Sequence, residues 1–286
     1  MQDVNVVGVL GCGLMGSGIT QVAAQSGYRT IVVEADEALL HKGLGRIERF
    51  LSDGVSRGKV TADVKAATLA RITGSTRYDD LKECALVIEA IIENLDAKRA
   101  AYRQLDAVLK PDAVIASNTS SLCITELAAS TTRPDRFGGL HFFNPVPLMK
   151  LVEVIRALTT SDETHSGLVA FARALGKEPI QAPDRPGFIV NRLLVPYLLD
   201  AVRAYENGLG SIEDIDNGMK LGCGHPMGPF TLLDFVGIDT TYYIANIMYD
   251  EFREPVYAPP PLMKRMVLAG RVGRKVGRGF YKYEGI

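Results

Sequence analysis

The chain is poor in the residues that would build disulfides, metal sites or nucleic-acid-binding surfaces. Its four cysteines are scattered and include no C-x-x-C pair, so the sequence predicts neither a disulfide framework nor a zinc site. The four histidines are equally unclustered, and we expect no metal. Basic and acidic residues number 32 and 33, and the resulting net charge of -1 gives no indication of nucleic-acid binding.

Long apolar runs are also missing from the sequence. No apolar run approaches the length of a membrane-spanning helix, and the first strand candidate begins near Val4, which leaves no room for a signal or transit peptide. We therefore expect a cytoplasmic protein without a membrane partner. At 286 residues, of which 47% are hydrophobic and 23% charged, the chain is long enough for two globular domains.

The first part of the sequence alternates short apolar strands with helical stretches, a pattern typical of a mostly parallel α/β sheet. An insert over 37–69 departs from that pattern, because it reads as two helices broken at 57–59, the second of them capped by Thr61. Eight strands are predicted, at residues 5–10, 29–34, 71–75, 85–89, 113–117, 138–143, 151–156 and 179–182.

Strand signals nearly stop after the segment 182–187, and helical patterns take over. Four helices are predicted there, at residues 188–205, from Ser211 to near 222, 232–251 and 261–268. We therefore predict an α/β domain over 1–183 and an all-helical domain over 184–286. So much apolar surface in a small helical domain favours packing against the first domain or against a second subunit.

A glycine-rich turn follows the first predicted strand and opens a helix. Gly11, Gly13 and Gly16 have the G-x-G-x-x-G spacing, with Leu14 and Met15 inside the loop. Such a loop lets backbone approach a pyrophosphate and places the phosphates at a helix N-terminus, as in Rossmann-like domains. The turn therefore predicts a dinucleotide site; the alternative is a glycine-rich turn that binds nothing.

The choice of dinucleotide depends on the end of the second strand. Glu34 stands there, 18 residues after Gly16, where an acidic residue accepts hydrogen bonds from the ribose hydroxyls. Its charge would repel a 2′-phosphate, so we expect NAD rather than NADP.

His141 and Glu153 lie on two predicted strands that are joined by a seven-residue loop with two prolines. A link this short makes the strands antiparallel if they pair, since parallel neighbours need a longer crossover. In the symmetric register His141 faces Glu153 with Cβ atoms about 5 Å apart, which predicts a base with its orienting acid. The alternatives are a buried histidine with a chance partner, and a one-residue slip that separates the pair.

Further motifs follow one another along the whole chain. Besides the glycine loop they are I-E-A and E-N within 88–94, A-S-N-T-S-S at 116–121, H-F-F-N-P at 141–145, P-G-F-I-V-N-R at 186–192, H-P-M-G-P at 225–229 and G-R-K-V-G-R-G-F-Y at 273–281. Together and in this order they resemble the 3-hydroxyacyl-CoA dehydrogenases, most closely the short bacterial 3-hydroxybutyryl-CoA dehydrogenases. The resemblance implies an NAD-dependent enzyme with an acyl-CoA substrate, which dimerises through its helical domain.

The resemblance also implies roles for individual residues. His141 would be the general base with Glu153 as its orienting carboxylate, while Ser120 and Asn191 would hydrogen-bond the reacting end of the substrate. The NAD site would be lined by the glycine loop and by Glu34, Ala90, Glu93, Lys98, Asn118, Ser120, Asn144 and Lys275.

Plain alternatives exist for several of these residues. Ser120 could satisfy backbone groups, Asn118 and Asn144 could form turns, and Lys98 and Lys275 could be solvated charges. Asn191 lies on an apolar helix, where an unpaired amide would cost about 1–3 kcal/mol, so we expect it to face a cleft.

Family members contact acyl-CoA through the helical insert. Where some relatives have a serine and a lysine, this chain has Phe50 and Arg57, with Lys59 as a second cation close by. Arginine is well suited to phosphate, so CoA binding is still expected; the alternative for each residue is a solvated basic turn.

The sequence thus predicts an NAD-dependent (3S)-3-hydroxyacyl-CoA dehydrogenase acting on short chains such as 3-hydroxybutyryl-CoA. One alternative is a sister dehydrogenase of hydroxy acids or sugar acids without CoA, against which Arg57 and Lys59 argue. Another is a non-catalytic NAD-binding relative, against which the pair of His141 and Glu153 argues.

Overall fold

The computed structural model describes residues 4–283. The first three residues of the first predicted domain and the last three of the second lie outside this range. The chain forms two compact units, of which one ends at Asp184 and the other begins at Arg185. The first unit is α/β and the second is helical. None of the helices over 4–283 is both long enough and apolar enough to cross a membrane.

The first unit contains eight strands. They are β1 (Val6–Leu10), β2 (Arg29–Val33), β3 (Ile72–Ser75), β4 (Leu86–Glu89), β5 (Val114–Ser117), β6 (Phe137–Phe142), β7 (Leu151–Arg156) and β8 (Glu178–Pro183). All eight predicted strands are confirmed to within one residue at each end. The strands form one sheet in the order β3-β2-β1-β4-β5-β6-β7-β8.

Within this sheet only the β6–β7 pair is antiparallel among the described strands. The chain moves outward from β1 to β3 and then returns to add β4 on the other side of β1, so the strand order reverses between β1 and β4. Open α/β sheets bind ligands outside the carboxyl ends of the strands at such a reversal. The glycine loop follows β1 directly and therefore lies at this point.

Six helices belong to the first unit, namely α1 (Leu14–Gln25), α2 (Glu37–Ser56), α3 (Ala62–Ala70), α4 (Leu95–Val108), α5 (Ile124–Ala128) and α6 (Asp162–Ala174). The predicted insert of two helices is confirmed as α2 and α3. Asp36 caps α2 by accepting from the Leu39 amide, and Thr61 caps α3 by accepting from the Val64 amide, as predicted. Strands β4 and β5 are fully buried, which the parallel sheet requires of its central strands.

The second unit consists of α7 (Val190–Glu206), α8 (Ile212–Cys223), α9 (Pro229–Val236), α10 (Ile238–Phe252) and α11 (Pro261–Leu268). The single helix predicted at 232–251 is wrong, because the chain breaks there into α9 and α10. Gly237 separates them with φ 105° and ψ 122°, a conformation outside the helical region. Apolar residues recur at helical spacing on both sides of this glycine, so the periodicity did not reveal the break.

Two buried aspartates organise the second unit. Asp216 accepts from the amides of Phe230 and Thr231 at 2.7 and 3.0 Å, and so caps the first turn of α9 from a neighbouring helix. Asp234 accepts from the amides of Phe280 and Tyr281, each at 2.9 Å, and so ties the C-terminal segment to α9. These bonds give a structural reason for the glycine- and aromatic-rich motif at 273–281.

Two glycines of α2 provide a matched test of how this helix packs. A Cβ at Gly43 would overlap the carbonyl oxygen and Sγ of Cys12 in the glycine loop, whereas a Cβ at Gly45 would meet nothing within 4 Å. We expect Gly43→Ala to lower the free energy of unfolding by about 1–3 kcal/mol, the usual cost of overpacking. Gly45→Ala should raise it by about 0.5–1 kcal/mol, because alanine favours a helix interior. Urea unfolding of both variants measures the difference, and equal effects would contradict the close contact.

Candidate active site

The antiparallel pair β6–β7 places His141 opposite Glu153, so the predicted register is confirmed. The Nδ1 atom of His141 lies 2.7 Å from Oε2 of Glu153, and the two side chains are 4% and 0% exposed. A carboxylate can only accept a hydrogen bond, so with Glu153 ionised the proton of the neutral imidazole resides on Nδ1. The lone pair of Nε2 is then available to take a proton.

Ser120 supplies the group that faces this lone pair. Its Oγ lies 3.0 Å from Nε2 of His141, close enough for the hydroxyl to donate to the imidazole. The ring of Phe143 packs at a centroid distance of 4.6 Å from the imidazole. Ser120 from the loop after β5, His141 from β6 and Glu153 from β7 therefore form one hydrogen-bonded series, Ser120–His141–Glu153, at the carboxyl ends of β5 and β6.

The loop that carries Ser120 is held by Glu93. One oxygen of this carboxylate, Oε1, accepts from the Ser120 amide at 3.1 Å and from Ser121 Oγ at 3.2 Å, and it also accepts from Thr119 Oγ1. Three donors on one acceptor fix the backbone between 119 and 121. The position of the Ser120 hydroxyl relative to His141 therefore depends on Glu93.

Behind Glu93 lies a buried ionic cluster. The Lys98 ammonium contacts Glu89 Oε1 at 2.6 Å and Glu93 Oε2 at 3.3 Å. Glu89 in turn accepts from the hydroxyls of Tyr102 and Ser117 at 2.5 and 2.8 Å. Lys98 is only 1% exposed, so the alternative that it is a solvated charge is wrong. Burial, followed by the charge of Glu89, raises the pKa of the Tyr102 hydroxyl well above its usual value.

The glycine loop has the geometry of a phosphate site. Gly11 has φ 96°, and a Cβ there would lie 2.6 Å from the Ala90 carbonyl oxygen, while a Cβ at Gly16 would overlap the Gly11 carbonyl oxygen. Around Gly13, by contrast, nothing would meet a Cβ within 4 Å. The loop is thus compact on its protein side and open at Gly13, the N-cap of α1, where a ligand can approach the backbone.

Glu34, directly after β2, lies against this loop. Its carboxylate accepts from the amides of Cys12 and Ala35 at 2.6 and 2.8 Å. Burial and the neighbouring Glu34 raise the pKa of the Cys12 thiol to about 12, so this cysteine is a neutral packing residue. Asn118 Oδ1 accepts from the Phe142 amide at 2.9 Å and joins the ends of β5 and β6.

A cleft of about 340 Å³ opens between α1, α2 and the segment 144–147. Three of the predicted site residues line it, namely Leu14, Phe50 and Asn144, and their contacts with ligands stay predictions. Arg57 and Lys59 are exposed and do not line the cleft. Its cations are Arg46 and Arg49, which the sequence reasoning missed; their spacing from Phe50 on one face of α2 is the signal that could have found them.

Two predicted site residues belong to the second unit. Asn191 is half-buried in the first turn of α7. Lys275 lies in the C-terminal segment, where both oxygens of Asp239 accept from its ammonium at 2.7 Å. Their roles at the site stay predictions. Across residues 4–283 there is no group of three or more His, Cys, Asp or Glu side chains that could hold a metal ion.

Lys98 and Lys110 allow a test of the buried cluster against an exposed ion pair. Lys98→Met leaves the buried carboxylate of Glu89 uncompensated and should lower the free energy of unfolding by about 3–5 kcal/mol. Lys110→Met breaks an ion pair of the same length, 2.6 Å to Glu83, in which both side chains are about half exposed. This change should alter the free energy of unfolding little. Urea unfolding of both variants gives the comparison. A Lys98→Met protein as stable as Lys110→Met would show that the cluster does not need its cation.

Comparison with known proteins agrees with the motifs over the whole chain. Residues 6–185 match the NAD binding domain of 3-hydroxyacyl-CoA dehydrogenase, and residues 187–283 match the C-terminal domain of the same family. The 3-hydroxybutyryl-CoA dehydrogenase of Mycobacterium tuberculosis is 49% identical, over 97% of this chain and 98% of that protein. The mitochondrial hydroxyacyl-coenzyme A dehydrogenase of Homo sapiens is also 49% identical, over 97% of this chain and 91% of that protein.

Solved structures show the same architecture. The crystal structure of M. tuberculosis FadB2 is 48% identical and superposes with a TM-score of 0.97, covering 99% of this chain and 100% of that one. The (S)-3-hydroxybutyryl-CoA dehydrogenase PaaH1 of Ralstonia eutropha, also 48% identical, gives a TM-score of 0.95 with the same coverage. This chain therefore belongs to the 3-hydroxyacyl-CoA dehydrogenase family.

Proposed function

We propose that this protein oxidises (3S)-3-hydroxyacyl-CoA to 3-oxoacyl-CoA with NAD, and catalyses the reverse reduction, on short chains such as 3-hydroxybutyryl-CoA. The observation that carries the proposal is the hydrogen-bonded series Ser120–His141–Glu153. It presents an unprotonated imidazole nitrogen beside a hydroxyl group, in the same unit as a glycine loop shaped for a dinucleotide. A base and a dinucleotide site on one sheet edge are the two parts that dehydrogenation of an alcohol requires.

The chemistry of the base follows from its two hydrogen bonds. Nε2 of His141 takes the proton of the 3-hydroxyl group as the alcohol becomes a ketone, and returns it in the reverse direction. Glu153 holds the proton on Nδ1 and stabilises the imidazolium that forms. Ser120 Oγ occupies the place next to Nε2 and can donate to the same substrate oxygen. We assign Asn191 to a second contact with the reacting end of the substrate.

The cofactor assignment rests on the fit of the glycine loop. NAD, when bound, supplies the acceptor for the hydride that leaves C3. The open backbone at Gly13 and the N-terminus of α1 suit its pyrophosphate. Glu34 lies against the loop, where its charge accepts from ribose hydroxyls and repels a 2′-phosphate. We assign the remaining contacts to Leu14, Met15, Ala90, Glu93, Lys98, Asn118, Asn144 and Lys275.

The acyl-CoA assignment is supported by the cleft beside this loop. Arg46 and Arg49 line it together with Phe50, and Arg57 and Lys59 add two exposed cations in the turn directly after the same helix. Guanidinium groups bind phosphate through paired donors, so α2 can present several cations to the anionic part of CoA. A hydroxy acid without CoA would leave these cations unused.

We also propose a homodimer, built through the helical unit. Large apolar side chains of that unit are strongly exposed, among them Leu209 at 78% and Leu221 at 84%. Exposed apolar surface of this kind favours a partner surface.

The two compact units correspond in this proposal to the predicted domains 1–183 and 184–286, and the expected cytoplasmic location stays a prediction.

The activity is tested by comparing substrates. We expect (3S)-3-hydroxybutyryl-CoA to be oxidised with NAD at a kcat/KM roughly 10²-fold or more above that of free 3-hydroxybutyrate, because binding energy from the CoA part serves the reacting end. NADP should be the poorer cofactor. Steady-state NADH absorbance provides the measurement. Equal use of acid and thioester would favour the sister dehydrogenase without CoA, and a preference for NADP would contradict the role of Glu34.

The roles of the base and its partner are tested by a double-mutant cycle. His141→Gln should lower kcat by roughly 10² to 10⁴, the usual contribution of a positioned general base. Glu153→Gln should also be slow, because an amide lacks the charge that stabilises imidazolium. Since the two side chains act as one unit, the double variant should be little slower than His141→Gln alone. Losses that multiply would mean that Glu153 acts independently of the imidazole.

A further inference from the structure

Lys177 is a buried cation for which the proposed chemistry has no use. It lies directly before β8 and is 7% exposed. Its ammonium donates to two backbone carbonyl oxygens, those of Val146 at 2.6 Å and Met149 at 2.7 Å. No carboxylate pairs with it among residues 4–283. Removing an ammonium from water is costly, and burial lowers the pKa of Lys177 accordingly.

The two carbonyls belong to the segment between β6 and β7, in which two residues have no backbone donor. Pro145 and Pro147 have no backbone N–H. The Pro145 carbonyl accepts from the amides of Leu148 and Met149 at 2.9 and 3.0 Å, which closes a single helical turn. The carbonyls of Val146 and Met149 need donors from outside the turn. Lys177 satisfies both, and thereby fixes the turn to the start of β8.

The same turn packs tightly against α1, the helix that follows the glycine loop. Val146 is buried, and a Cβ added at Gly18 of α1 would lie 2.8 Å from the Val146 Cβ, so helix and turn touch without spare room. Residues 144–147 form one wall of the cleft. Asn144 in that wall follows His141 by three positions. The Lys177 ammonium therefore contacts the turn, and the turn contacts α1; the turn and α1 both line the cleft.

We infer that Lys177 is a positioning residue of the active site: its ammonium sets the distance between the turn 144–149 and α1, and so the width of the cleft. The kinetic part of this inference rests on the proposed function. A shift of about 1 Å in a group that positions substrate is enough to cost roughly 10²-fold in rate. Lys177 holds the turn through two backbone carbonyls, so this contact does not depend on which side chains the turn carries.

The test compares Lys177→Met with Lys150→Met. Methionine keeps the length of the side chain and removes its donors and charge. Lys150 lies in the same connection, is exposed, and contributes to β8 only through its carbonyl, which both proteins retain. Amide hydrogen exchange at Leu148 and Met149 measures directly how well the hydrogen bonds of the turn are protected. Steady-state kinetics with (3S)-3-hydroxybutyryl-CoA and NAD give the KM and kcat that depend on the width of the cleft.

We expect Lys177→Met to raise exchange at 148 and 149 while the strand amides of β6 and β7 keep their protection. The KM for the thioester should rise about 10-fold or more, with a smaller fall in kcat than His141→Gln causes. Lys150→Met should resemble the wild type in all of these measurements. Lys177→Gln, which keeps a neutral donor, should fall between Lys177→Met and the wild type.

Two results would overturn the inference. One is a Lys177→Met protein with the exchange and kinetic constants of Lys150→Met; the other is a uniform rise in exchange over the turn and both strands, which would make Lys177 a residue of general stability. If Lys177→Met fails to fold, Lys177→Gln is held to the same two outcomes. The exchange measurement needs no substrate, so it stands apart from any failure of the proposed activity.

Discussion

The site depends on one reversal of chain direction in an otherwise parallel sheet. Between β6 and β7 the chain turns back within a few residues, and the antiparallel register then sets His141 against Glu153 inside the sheet. A parallel neighbour would need a long crossover and would bring a different residue to that place. Because both side chains rise from hydrogen-bonded strands, the imidazole is oriented by the sheet itself before any ligand binds.

Much of this arrangement could be read from the sequence because its causes are local. A short apolar run bounded by turn residues defines each strand, and the short proline-containing connection between β6 and β7 makes these strands antiparallel if they pair. The glycine spacing and the acid at the end of β2 likewise lie within one β-α-β unit. Fold class, strand bounds and the facing pair His141–Glu153 therefore followed from neighbouring residues alone.

What the sequence did not reveal depends on contacts between distant segments. Lys98 was predicted at the NAD site, but its burial against Glu89 becomes visible only when α4 packs over β4, and Arg46 becomes a cleft residue only when α2 packs beside α1. Lys177 meets the carbonyls of residues 31 and 28 positions before it. The break at Gly237 escaped for another reason, since apolar periodicity continues across it and only its positive φ marks the end of α9.

The ionic cluster below Ser120 also bears on how this sequence can change over time. Lys98 is shared by two acids, Glu89 and Glu93, so replacing Lys98 leaves both carboxylates without a cation, whereas replacing one acid leaves the other paired with Lys98. An apolar trio of similar volume could be as stable, yet every route to it passes through an intermediate in which one charge of the cluster has no partner, and that intermediate is less stable than either end. Because of this less stable intermediate, the effect of a substitution at one of the three positions depends on the residues at the other two. The cluster would therefore stay in place in descendants even where selection on catalysis is relaxed.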